Sequence, residues 1–134
     1  MGIKDIVLSI VVLFTSCNYR EKDLVGTYTP KDYKYTFDTI QLKENNTYYR
    51  KVYNSNKKLV LEINGEWSLK GDLIMFKSPY FANLDRDLVA FPELLQDSVS
   101  NGIGYIWLKN GNIEFCVGVY SVDLPNQNCY CKLE

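Results

Sequence analysis

Lys58-Leu59-Val60-Leu61-Glu62-Ile63-Asn64-Gly65-Glu66-Trp67-Ser68-Leu69-Lys70-Gly71-Asp72-Leu73-Ile74-Met75-Phe76-Lys77 is the stretch whose reading decides the fold. Short apolar segments alternate in it with residues that favour tight turns. Asn-Gly supplies the positive φ angles of a two-residue hairpin, so Asn64-Gly65 reads as a turn between strands at 58–63 and 66–69. Gly71 then separates the second of these from a strand at 73–77. The same punctuation extends in both directions. Asn45-Asn46 separates 35–43 from 47–53, and Asn110-Gly111 separates 105–109 from 112–120. Short strands joined by successive hairpins predict an all-β, mainly antiparallel chain, closed as a small barrel or curled as a strongly twisted meander.

Composition supports strands. Eleven Tyr, six Phe and two Trp suit pleated, half-buried surfaces, whereas alanine occurs only at Ala82 and Ala90. One strand breaks the pattern: Tyr35 and Phe37 fall on one face, Ile40 and Leu42 on the other. One extra residue near Asp38-Thr39 would restore the phase, so a β-bulge is expected there. Between Pro79 and Ser98 the strand rhythm stops. Leu84, Leu88, Phe91 and Leu95 recur at helical spacing, which predicts one short helix or loop insertion near residues 84–97. Pro92 fits the first turn of such a helix.

The first residues read as a processing signal. Ile6 to Phe14 is a nine-residue apolar run with Ser9 as its only polar member. That is too short to span a bilayer, which takes about 20 residues, and fits the apolar core of a secretory signal. Phe14-Thr15-Ser16-Cys17 then resembles the lipobox of bacterial lipoproteins: a bulky apolar residue, two small residues and a cysteine. The resemblance implies removal of residues 1–16, lipidation of Cys17, a polar tether over 17–23 and a single domain over 24–134. Asn18 after the cysteine implies the outer membrane of the cell envelope. Further on, Leu24-Val25-Gly26-Thr27-Tyr28, followed by hairpins and Gly65-Glu66-Trp67-Ser68-Leu69, resembles the lipocalin-like lipoproteins common in Bacteroidetes. This second likeness spans roughly residues 24–78 and implies a lipocalin-like barrel.

Several chemistries are excluded or disfavoured. The net charge is −1, with no cationic run, so nucleic acid is not an expected partner. Histidine is absent, which removes imidazole bases, His-activated nucleophiles and imidazole metal sites. There is no phosphate-cradling glycine loop or nucleophile elbow. Glu62 and Glu66 would flank the Asn64-Gly65 turn, where two carboxylates could approach, but charges beside a turn are usually a solvated face. No catalytic residue, cofactor or metal is assigned, and the chain is expected not to be an enzyme.

After export the remaining cysteines meet an oxidising environment. One disulfide is expected, joining Cys116 to Cys129 or to Cys131, with free buried thiols or a three-thiolate site for a soft metal as the alternatives. Tyr48, Tyr49, Arg50 and Tyr53 form the densest aromatic and basic segment and are the candidate contact surface. Two functions follow as expectations. One is a membrane-anchored protein that binds another envelope protein. The other is a carrier of an apolar small molecule, with Leu88 and Phe91 at the barrel mouth.

Overall fold

The computed structural model describes residues 19–77, 102–117 and 128–134, over which the chain forms a closed antiparallel barrel. A single helical turn, α1 (Glu21–Leu24), precedes the strands. These are β1 (Gly26–Pro30), β2 (Thr36–Leu42), β3 (Thr47–Asn54), β4 (Leu59–Lys70), β5 (Leu73–Phe76), β6 (Gly102–Lys109), β7 (Asn112–Val117) and β8 (Cys129–Lys132). Each strand pairs with the next, and β8 returns to pair with β1. The architecture is an all-β closed barrel, one of the two forms expected from the turn spacing, and matches the lipocalin-like barrel that the resemblance implied. Residues 1–18, with Cys17, and residues 84–97, with the expected short helix, lie outside the described residues.

The Asn64-Gly65 expectation is overturned. β4 runs unbroken from Leu59 to Lys70, pairing with β3 as far as Glu66 and with β5 from Trp67 onward. Leu61, Ile63, Gly65, Trp67 and Leu69 occupy alternate positions facing inward, while Glu62, Asn64 and Glu66 are exposed. A hairpin at Asn64-Gly65 would break this inward row, so side-chain burial outweighs local turn preference. Gly65 serves a close approach instead. A Cβ added there would lie 2.6 Å from the Tyr48 ring and 2.7 Å from the Lys77 carbonyl oxygen.

The other turns stand. Asn110 and Gly111 both have positive φ, at 52° and 79°, as a two-residue hairpin requires. Asn46 and Gly71 likewise sit at φ of 60° and 63°. The bulge expected at Asp38-Thr39 is absent, because β2 and β3 stay in continuous register from Thr36↔Asn54 to Leu42↔Tyr48. The register shift falls instead between β3 and β4, where Val52 faces Leu61 and Tyr53 faces Leu59, leaving Val60 extra.

Short turns join β2 to β3, β4 to β5 and β6 to β7 at one end of the barrel, and α1 closes that end. Leu24 is fully buried, its carbonyl accepts a hydrogen bond from the Tyr28 hydroxyl at 2.7 Å, and Lys132 Nζ donates to the Asp23 carbonyl at 2.8 Å. The opposite end carries the β1–β2 and β3–β4 connections. Between the two ends, aromatic rings cross the interior in contact. Tyr48 meets Phe76 at 5.1 Å, Phe76 meets Phe115 at 5.8 Å, and Phe115 meets Tyr28 and Tyr130 at 5.0 and 5.5 Å. Such ring pairs add about 0.5–1.5 kcal/mol each beyond the burial of their area.

Candidate functional site

Alternation along β2 and β3 settles which side chains enter the barrel. Thr36, Asp38, Ile40 and Leu42 face inward, which turns Tyr35, Phe37 and Thr39 outward. On β3, Tyr48, Arg50 and Val52 face inward. Asp38 and Arg50 therefore meet inside, both side chains with 0% exposure. Arg50 Nε donates to Asp38 Oδ1 at 3.1 Å and Arg50 Nη2 to Asp38 Oδ2 at 2.6 Å. The Tyr130 hydroxyl donates to Asp38 Oδ2 at 2.7 Å and accepts from Arg50 Nη2 at 2.7 Å. The guanidinium suits this place because its planar fork matches a carboxylate in two bonds.

This arrangement perturbs its members in opposing ways. Burial alone disfavours the Arg50 charge, but the facing Asp38 carboxylate and Tyr130 outweigh it and raise the pKa. Burial raises Tyr130 well above its ordinary value, against the opposing pull of Arg50. Tyr48 is pushed up to about 12 and Tyr28 is raised as well, each by burial. None of these groups is poised near neutral pH, and no buried side-chain polar atom among the described residues lacks a hydrogen-bond partner. The network holds β2, β3 and β8 together.

The candidate surface Tyr48, Tyr49, Arg50 and Tyr53 is divided by the same alternation, and this corrects it. Tyr48 and Arg50 point into the barrel, while Tyr49 and Tyr53 are on the outer face. The Tyr49 hydroxyl donates to Glu62 Oε1 at 2.8 Å, and Lys51 Nζ lies 5.0 Å from the Tyr49 ring centroid. Tyr53 pairs across the sheet with Phe37, whose ring is 60% exposed. Phe37 stands between two hollows. One, about 290 Å³, is lined by Phe37, Tyr53 and Lys57. The other, about 240 Å³, lies where β1 and β2 part and is lined by Thr29, Pro30, Tyr33, Thr36, Phe37, Asp38 and Thr39. Tyr35 and Leu59 extend the exposed apolar surface around this ridge. Phe37 was missed because an aromatic residue in a strand is more often core; the cue was its odd-numbered phase against Ile40 and Leu42.

Glu62 and Glu66 do not face each other across a turn. Four residues apart on one extended strand, they lie about 13 Å from each other at the usual rise per residue, outside the range of a glycosidase pair. Glu62 holds Tyr49, and Glu66 holds Lys77 at 3.2 Å. Cys116 and Cys129 are direct cross-strand partners on β7 and β8 and form a disulfide. That bond uses two of the three sulfurs of the alternative thiolate site and leaves Cys131 as a free thiol, half-buried, against the Thr29 carbonyl at 3.7 Å. Beside it, Glu114 accepts from Lys31 Nζ and Trp107 Nε1, both at 3.0 Å, and its carboxylate raises the pKa of Lys31.

Compared with protein-family models, with curated proteins and with solved structures, the chain matches none.

Proposed function

We propose that this chain is an exported, lipid-anchored binding protein without catalytic activity. It engages a partner in the cell envelope through the outer face around Phe37 and Tyr53. The observation that carries this reading is the contrast between inside and outside. Rings from β1, β3, β5, β7 and β8 pack against one another inside the barrel, while Tyr35, Phe37 and Leu59 are exposed on its outer face beside half-buried Tyr53 and two hollows. Exposed apolar groups so grouped mark interaction sites more often than chance.

Tyr19 and Arg20 lead into α1, which closes the end of the barrel opposite the β1–β2 and β3–β4 connections. A lipid on Cys17 would hold that closed end toward the membrane and turn the Phe37 ridge away from it. Cys17→Ala tests the anchor: loss of lipid labelling and retention of unprocessed chain are expected, and normal maturation would refute it. A photo-crosslinking amino acid placed at Phe37 tests the face in the native envelope. A discrete crosslinked protein is expected, and its absence, with a small-molecule adduct instead seen by native mass spectrometry, would return the carrier.

A further inference from the structure

Resting on the binding face proposed above, we infer that the hollow of about 240 Å³ beside Phe37 is a site for one neutral sugar ring, presented by a glycan on the partner protein. The hollow begins where the β1–β2 ladder stops. Tyr28↔Ile40 is the last pair, and both of these side chains are buried inside the barrel. The next residue up each strand, Thr29 and Thr39, therefore turns outward, and both line the hollow. Pro30 follows Thr29 and has no N–H to donate. The bond from Lys43 N to the Thr47 carbonyl sets the phase of β2: Gln41, Thr39 and Phe37 turn their backbone groups to β3, and Asp38 turns its own to the β1 side. The Asp38 side chain is 0% exposed, so this residue enters the lining through its main chain, whose carbonyl receives nothing from Pro30.

That lining selects its ligand by exclusion. Asp38 is the only charged residue in it, and the carboxylate is turned inward onto Arg50 and Tyr130, so an ion meets no counter-charge. Among the described residues neither Thr29 Oγ1 nor Thr39 Oγ1 is engaged in a hydrogen bond. A purely apolar occupant would strip these hydroxyls of water and give nothing in return. An added peptide strand needs a run of free backbone groups, and Asp38 alone does not make one.

A sugar ring carries C–H groups on its faces and hydroxyls around its rim. Phe37, 60% exposed, and Tyr33 supply aromatic surface, and the bond from the Tyr33 hydroxyl to Asn128 Oδ1 at 3.1 Å fixes the second ring in place. Aromatic faces are negative and attract polarised C–H groups, while threonine hydroxyls and a carbonyl pair with the rim. The volume falls below the roughly 300–1,000 Å³ of drug-sized pockets, which suits a single ring.

The test is ligand-observed saturation-transfer NMR on the mature, disulfide-bonded chain. Methyl glycosides of glucose, galactose, mannose and N-acetylglucosamine are the probes, with tetramethylammonium and hexanoate beside them. At least one glycoside is expected to bind, neither ion is, and Phe37→Ala and Thr39→Val should each weaken binding about tenfold. No glycoside bound, binding unchanged in both variants, or an ion bound in their place would overturn the sugar site. In the envelope, mild periodate, which cleaves the vicinal diols of sugars, should abolish the protein crosslink formed through Phe37. A crosslink that survives periodate, with no glycoside bound, would overturn the sugar and leave the Phe37 face standing. Glycosides that bind without any protein crosslink would keep the site and overturn the protein as carrier of the sugar. Neither binding nor crosslink would overturn both readings.

Discussion

Replacing Asp38 with leucine should show how completely the Arg50 charge is enclosed. Asp38 accepts bonds from Arg50 Nε at 3.1 Å, Arg50 Nη2 at 2.6 Å and the Tyr130 hydroxyl at 2.7 Å. Asp38→Leu takes the carboxylate away from a guanidinium that is 0% exposed and keeps only neutral partners such as the Tyr130 hydroxyl. Breaking one side of such a pair costs about 3–5 kcal/mol, at least about a fifth of the roughly 5–15 kcal/mol that holds a domain together. In urea, at a slope of about 1–3 kcal/mol/M, the unfolding midpoint should fall by about 2 M. The replacement Asp38→Leu/Arg50→Met/Tyr130→Phe removes these three groups together and should recover most of that loss, because the buried guanidinium charge is gone. Chemical unfolding of the native chain, the single variant and the triple variant measures both values. A cost below about 1 kcal/mol for Asp38→Leu, or a triple variant no better than the single, would refute the claim of an enclosed pair.

High pH acts on the buried tyrosines. Tyr28, Tyr48 and Tyr130 all have pKa values raised above 10, so the unfolded chain releases these protons first and stability present below pH 10 is lost as the pH rises toward about 12. Each contributes about 1.4 kcal/mol per pH unit in that window, and absorbance at the phenolate band should rise cooperatively with unfolding; independent titration of all tyrosines near 10 would contradict the burial. Gly65→Val should cost about 1–3 kcal/mol by overpacking, since its Cβ would lie 2.6 Å from the Tyr48 ring. A neutral result would place Gly65 in a solvent-exposed turn after all. Reducing the Cys116–Cys129 bond, which closes a segment with sequence separation 13, should lower stability by about 3 kcal/mol. Thiol labelling of the non-reduced, lipid-free domain should find Cys131 and neither of the bonded pair.

What could be read from the chain alone was local. Asn110-Gly111, Asn45-Asn46 and Gly71 each placed a turn correctly, because positive φ is a property of two or three residues and needs no distant partner. An antiparallel sheet, closed or strongly curled, followed from strand spacing, and a bond from Cys116 to one of two cysteines was the expectation once export was assumed. Asn64-Gly65 carried the same local signal and gave way, since the row Leu61, Ile63, Gly65, Trp67 and Leu69 gains more by staying inward than the turn gains by forming. That row was visible in the letters, as was the phase Thr36, Asp38, Ile40, Leu42, in which an aspartate stands among apolar residues. Its meaning was not. The β2–β3 hairpin sets Asp38 diagonal to Arg50, twelve residues on, but only closure of the sheet brings Tyr130, ninety-two residues from Asp38, against both, and so decides that the acid is core and Phe37 is surface. A strand's two faces are equivalent until something covers one of them, and in this chain that covering is a long-range event.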